Sequence, residues 1–280
     1  MICAWQEYLN ILPAWMKQPV DELGRGVLNE LRLRIGLRPE LVTVSGSLYL
    51  DRVNTQEDLS YVINAASQYS PWAAETIANG YITSVGGHRI GICGDAVVKN
   101  FHMTGIRSPT SLNIRAARDF PGIAKNIPKD KGSILIIGKP GSGKTTLLRD
   151  LIRNLSEYDS GSVGVVDERG ELFPVTQGKH SFLTGPKTDV MTGCSKKDGI
   201  MCFIRTMGPE CIAVDEITKQ EDCEALIHAG WCGVKILATA HAGSRIDLLS
   251  RPVYAPLVAT NLFSTLIVMQ ADKSWKVERL

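Results

Sequence analysis

The chain has 280 residues, which at about 150 per domain points to two domains. Hydrophobic residues make up 44% and charged residues 21%, a balance that excludes disordered and collagen-like classes. The net charge of +2 is split evenly between the two halves, which speaks against a nucleic-acid binder held by phosphate neutralisation.

Short amphipathic pieces broken by Pro13 and Pro19 open the chain. They carry an apolar cluster of Trp5, Tyr8, Leu9, Ile11, Leu12, Trp15 and Met16. Such a cluster reads as core, with a docking surface for a membrane partner or a neighbouring subunit as the functional alternative. Glu7 follows the apolar start and no basic region precedes it, so a signal peptide is not expected. The uncharged stretch 252–271 is interrupted by Pro256, Asn261, Ser264 and Gln270, and reads as a buried strand with its approach, not a membrane span. A soluble, cytoplasmic protein is expected.

Leu31 to Ile35 alternates with period two, the mark of a half-exposed strand, and Leu41–Val44 and Leu48–Leu50 follow as further strands around Gly46. Asn54 or Thr55 can cap a helix from Gln56 to Gln68. Ser70-Pro71 reads as the start of another helix ending near Asn79. Tyr81–Val85 and His88–Ile92 flank Gly86-Gly87, a hairpin signal. Residues 1–118 are therefore expected to form a small N-terminal α+β domain with antiparallel strands. Two prolines, two glycines and mixed charge make 119–132 a linker.

Beyond it the pattern changes. Ser133–Ile137, Val163–Val166, Cys211–Val214 and Val234–Ala238 are apolar runs without polar alternation, which means strands covered on both faces. Residues 133–280 should form an α/β domain with a parallel sheet. The seven cysteines, at 3, 93, 194, 202, 211, 223 and 232, show no C-x-x-C pair and read as small buried thiols in a reducing compartment.

Gly138, Lys139, Pro140, Gly141, Ser142, Gly143, Lys144 and Thr145 fit G-x-x-x-x-G-K-[ST], between a predicted strand and a predicted helix that opens with Lys144, Thr145 and Thr146. Glycines let the backbone wrap a phosphate, and the inward N–H groups and helix terminus supply positive potential. Lys144 adds a cation for the β and γ phosphates, and the Thr145 hydroxyl can ligate Mg²⁺. This is a nucleoside triphosphate site, and the lack of an N-K-x-D element disfavours GTP. The strand Cys211–Val214 ends in Asp215, placed for the Mg²⁺ shell, and Glu216, placed to polarise an attacking water. The strand Val163–Val166 ends in Asp167, Glu168 and Glu171, acids expected in the same crevice. The last strand ends in Thr239 and His241, where a polar side chain could sense the γ-phosphate.

In this order, P-loop, acidic box, acid-tipped strand preceded by Ile204–Glu210, and Thr239–Ala242, the chain resembles the type II/IV secretion and pilus-motor ATPases. Leu31–Gly36, Gly87–Asp95 and Ile106–Arg115 resemble more narrowly a sporulation branch of that family in endospore-forming bacteria. The resemblance covers about residues 10 to 255. It implies a RecA-like P-loop NTPase core and a cytoplasmic, hexameric ATPase using ATP and Mg²⁺. Its partners would be membrane-embedded channel proteins between mother cell and forespore, reached from the mother-cell side; the even charge, separately, leads to no nucleic acid being expected. It places Lys144 and Thr145 on phosphate and metal, Asp215 on the metal, Glu216 on the water, and Glu168, Glu171 and His241 around them. Arginines of the first domain, Arg89 and Arg115 foremost among Arg89, Arg107, Arg115 and Arg118, would reach the γ-phosphate between domains or subunits. Alternatives remain: a nucleotide-gated scaffold with little turnover, a small-molecule kinase, and a nucleic-acid motor.

Overall fold

A computed structural model describes residues 1–68, 80–127, 132–158, 161–176 and 178–279. The helix expected from Ser70 to Asn79 lies outside the described residues. The chain divides into two units, Met1–Asp119 with Pro174–Ser181, and Phe120–Phe173 with Phe182–Leu280.

In the first unit, helices Trp5–Asn10 and Ala14–Leu23 precede strands β1 (Leu28–Arg34), β2 (Glu40–Thr43) and β3 (Gly46–Tyr49). The helix Gln56–Ser67 follows, then β4 (Tyr81–Thr83), β5 (Arg89–Lys99) and β6 (His102–Arg115). They form one antiparallel sheet in the order β3-β2-β1-β6-β5-β4. Period-two alternation puts Leu31 and Leu33 into the core while Arg32 and Arg34 stay outside. Thr55 is the helix cap: its hydroxyl accepts from Asp58 N, and the Asp58 carboxylate accepts from Thr55 N at 2.9 Å. Tyr8, Leu9, Ile11, Leu12 and Met16 are buried with Leu31, Leu59, Ile90 and Ile114, so the N-terminal apolar cluster is core. Trp5 and Trp15 pack against it and donate their indole N–H to Asp21 and Asp58.

The second unit holds β7 (Ile134–Ile137), β8 (Val163–Asp167), β11 (Thr188–Thr192), β12 (Cys211–Ile217), β13 (Lys235–Ala240), β14 (Thr265–Met269) and β15 (Trp275–Arg279). The two-residue strands β9 (Val175–Thr176) and β10 (Lys179–His180) form a hairpin that belongs to the first unit. The sheet order is β11-β8-β12-β13-β7-β14-β15, parallel except for β15 at one edge. Leu135, Ile137, Ile212, Val214, Ile236 and Ala238 pack with Ile200, Phe203 and Leu226 of the helices Lys196–Thr206 and Gln220–Trp231. The intervening Ile134, Ile136, Ala213 and Leu237 are equally buried, so the apolar runs mark strands covered on both faces.

The helix Lys144–Tyr158 carries buried charges as well as Leu147, Leu148 and Leu151. Asp150 accepts the backbone N–H groups of Gly122 and Ala124 and pairs with Arg153 at 2.7 Å. The proline-glycine segment from 120 to 127 is thereby fastened to the second unit, with Ala124 and Ile127 buried. Arg149 donates to the carbonyls of Glu171 and Leu172 and lies over the Phe182 ring.

The expectation of buried thiols holds for two cysteines. Cys211 and Cys223 are buried, whereas Cys93 and Cys232 are exposed and Cys3, Cys194 and Cys202 are intermediate; none is bonded to another. Cys93 lies in β5 where that strand's burial ends, and Cys232 caps the helix Gln220–Trp231.

Candidate functional site

Because β7, β8, β12 and β13 run parallel, their carboxyl ends share one edge of the sheet, where ligands of open α/β sheets bind. The loop 138–143 leaves β7 there. Gly141 and Gly143 have φ of 75° and 97°, a region that side chains disfavour. A Cβ on Gly138 would sit 2.5 Å from Ser142 Oγ and 2.8 Å from Met269 Cβ. Lys139, Pro140 and Gly141 are exposed, whereas Ser142 and Lys144 are buried and Thr145 and Thr146 half-buried.

The Lys144 ammonium donates to the carbonyls of Gly138 and Lys139, at 3.0 Å each, and to His241 Nδ1 at 3.1 Å. Burial lowers its pKa, against the opposing pull of Asp215 and Glu216. An ammonium can only donate, so Nδ1 accepts and the imidazole proton sits on Nε2, directed at Glu216 Oε1, 3.0 Å away. The other Glu216 oxygen lies 3.3 Å from the Arg169 guanidinium. One polar chain thus runs Lys144–His241–Glu216–Arg169.

A second network fixes the acid-tipped strand. The β12–β13 register passes from Val214 opposite Ala238 to Ile217 opposite Ala240, so Asp215 and Glu216 together face Thr239. This is a β-bulge, and Glu216 takes up the extra residue at φ 57°. Consecutive strand residues point to opposite faces; the bulge is what lets both acids line one crevice. Thr145 donates to Asp215 Oδ2 at 2.7 Å, and Thr239 donates to Asp215 Oδ1 while accepting from Glu216 N at 2.7 Å.

The crevice is lined by Asp167, Glu168, Arg169, Glu171, Lys196, Asp215 and Glu216. Glu168 is ion-paired with Lys196, which is buried and also 3.9 Å from Asp222. Asp167 is buried and accepts the N–H groups of Glu171 and Phe173; desolvation raises its pKa against the backbone bonds from Phe173 and Leu172. It shapes the turn that presents its neighbours. Thr239, expected to sense phosphate, instead has its hydroxyl engaged beneath the bulge.

Sequence reading missed Lys196 and the Arg169 contact. Lys196 follows the helix cap Ser195 in a polar stretch, and nothing local marks it as buried. Arg89 and Arg115 lie in the first unit as cross-strand neighbours in β5 and β6. Arg89 stacks over the Tyr81 ring, 4.2 Å from its centre, and Arg115 pairs with Glu30 at 3.2 Å.

The residues present fit a triphosphate with Mg²⁺. Ser142 Oγ is buried in the loop with no hydrogen-bond partner among the described residues. Phosphate oxygens would satisfy it together with the desolvated ammonium of Lys144. No cluster of three His, Cys, Asp or Glu able to hold a metal occurs among the described residues. Mg²⁺ in phosphate sites needs none, because it binds one or two protein groups plus phosphates and waters, and Thr145 with Asp215 matches that.

The family model described as "Sporulation stage III, protein AA" matches residues 6–278. The chain belongs to the stage III sporulation protein AA family. The stage III sporulation protein AA of Bacillus subtilis (strain 168) is 37% identical over 259 residues, covering 88% of this chain and 84% of that protein. Among solved structures, the Legionella pneumophila ATPase DotB has a TM-score of 0.62 at 18% identity, covering 96% of this chain and 80% of its own. The pilus retraction motor PilT with bound ADP has a TM-score of 0.63 at 17% identity, covering 90% and 76%. The sporulation family therefore shares the fold of secretion-type ATPases, α/β with a RecA-like P-loop core.

Proposed function

We propose that this member of the stage III sporulation protein AA family is an ATP-hydrolysing motor subunit. The observation that carries the reading is the convergence of Lys144, Thr145, Asp215, Glu216 and His241 at one sheet edge through two hydrogen-bonded networks. On binding ATP, Lys144 exchanges the carbonyls of Gly138 and Lys139 for phosphate oxygens. The backbone N–H groups of the loop and the Ser142 hydroxyl orient the phosphates and exclude water from them. Thr145 and Asp215 would hold Mg²⁺, which would supply charge neutralisation on the phosphates. Glu216 accepts the proton of the attacking water, and the His241 N–H keeps its carboxylate oriented. Glu168 and Glu171 line the crevice beside it, with Lys196 holding Glu168.

Arg89 and Arg115 are the arginines we assign to the γ-phosphate between subunits, a role supported by the family resemblance. The subunit would assemble as a hexamer in the cytoplasm, on the mother-cell side of the forespore membrane. It would energise membrane-embedded channel proteins. No described helix is long and apolar enough to cross a membrane.

Sedimentation with and without ATP-γ-S, on the native chain and Lys144→Ala, tests binding and assembly together. The native chain is expected to shift to a larger species with nucleotide and the variant to stay unshifted. Identical behaviour of the two would overturn the reading.

A further inference from the structure

Thr239 lies in β13, opposite the acid-bearing end of β12, yet has no role in the hydrolysis described above. Its side chain is fully buried, so water cannot stand in for it. It faces the bulge in β12, where two residues oppose one and the backbone N–H of Glu216 is turned out of the ladder. That N–H is taken up by Thr239 Oγ1 at 2.7 Å, and the same oxygen donates its own proton to Asp215 Oδ1. A single side-chain atom that accepts and donates at once must be a hydroxyl. Asp215 has its other oxygen on Thr145, so its carboxylate is gripped from both sides. Glu216, at φ 57°, occupies a conformation that a non-glycine residue keeps only where its surroundings enforce it.

We propose that Thr239 is the positioning residue of the site. One hydroxyl sets the orientation of the metal-holding carboxylate and holds the backbone geometry that aims the water-activating carboxylate. It acts through Asp215 and Glu216 and touches no phosphate. The assignment rests on the ATPase reading of those two acids. It specifies what that reading leaves open: why both acids face one crevice although they are adjacent in a strand. The competing role for a β-branched residue here is to fill space in a buried strand, and valine would do that equally well.

The test uses the full-length chain with Thr239→Val, which keeps shape and loses the hydroxyl, and Thr239→Ser, which keeps the hydroxyl and loses the branch. Three quantities are measured: phosphate release from ATP, the Mg²⁺ concentration giving half-maximal release, and the affinity for a fluorescent ADP with Mg²⁺ and with EDTA. For Thr239→Val, turnover is expected to fall by about tenfold to a hundredfold, the usual effect of removing a group that orients a metal-site carboxylate. Its Mg²⁺ requirement should rise by a similar factor while ADP affinity in EDTA stays within about twofold, with Thr239→Ser restoring most of the loss. Turnover and Mg²⁺ requirement of Thr239→Val equal to native would overturn the proposal, as would a Ser variant as impaired as the Val variant. If the native chain binds ADP more tightly with Mg²⁺ yet releases no phosphate, the hydrolytic reading alone falls. The Mg²⁺ enhancement of ADP affinity then decides Thr239: lost in the Val variant it supports the proposal, retained it overturns it. A native chain that binds no nucleotide under either condition overturns both.

Discussion

At Lys196 a full positive charge is buried beside an acid-lined crevice, held between Glu168 and Asp222. Such an ammonium is kept only where carboxylates repay its desolvation, and here one of those carboxylates lines the candidate active site. Lys196→Met keeps the length of the side chain and removes the charge, leaving Glu168 without its partner. Phosphate release is expected to fall by about tenfold or more, with ADP binding retained, because the group lost orients a crevice residue and lies outside the phosphate loop. A steady-state assay paired with an ADP titration checks this; equal turnover would confine Lys196 to packing. The loop that carries Lys144 and Thr145 was legible because a contiguous motif encodes it. Lys196 was not, because its partners lie 28 and 26 residues away and its burial depends on how β8 and two helices pack. Nor was Arg169 legible as a partner of Glu216, 47 residues on.

Among the elements, β7, β8, β12 and β13 could be read because strands buried on both faces are written as unbroken apolar runs. The edge strand β11, Thr188–Thr192, has no fully buried residue and no such run. The bulge at Asp215 and Glu216 left no mark in the sequence, since it is defined by a register between strands. The pair β5–β6 extends well past its first apolar alternation, with register shifts near Gly94 and Val97 that scramble period two. The strand β5 begins beside His88, whose ring is fully buried between the two ends of the first unit's chain. Its Nε2 lies 2.8 Å from the Ala4 carbonyl and its Nδ1 accepts the Ala117 N–H, a pattern only the neutral ring can make. Burial lowers its pKa to about 4 from 6.5, outweighing the Ala4 bond. The unfolded chain therefore takes up the proton first as pH falls. The stability this residue contributes is fully present above pH 6.5 and is lost as pH falls towards about 4. At about 1.4 kcal/mol per unit, the loss is about 3 kcal/mol. Urea unfolding of the native chain and His88→Gln across this range checks it: the difference between them should shrink as the solution is acidified. A constant difference would show that the ring's protonation does not oppose folding.

Over the whole molecule, length suggested two domains and strand patterning one antiparallel and one parallel sheet; the structure has an apolar cluster beneath each sheet. Length and patterning did not foretell that Pro174–Ser181, inside the second half, would cluster with the first unit. They also did not show that Gly122 and Ala124 would be bound by Asp150 of the helix after the phosphate loop. Both features depend on contacts between distant segments, which composition cannot carry. The membership in the stage III sporulation protein AA family and the secretion-ATPase fold leave one chemical question above the others. It is whether the Glu216 carboxylate, held by His241 and Arg169, turns ATP over. Steady-state release of inorganic phosphate from ATP by the native chain and by Glu216→Gln, both folded and both binding ADP, answers it. The native chain should release phosphate at least about a hundredfold faster, the size of a general-base contribution. Equal rates in the two proteins would contradict the account.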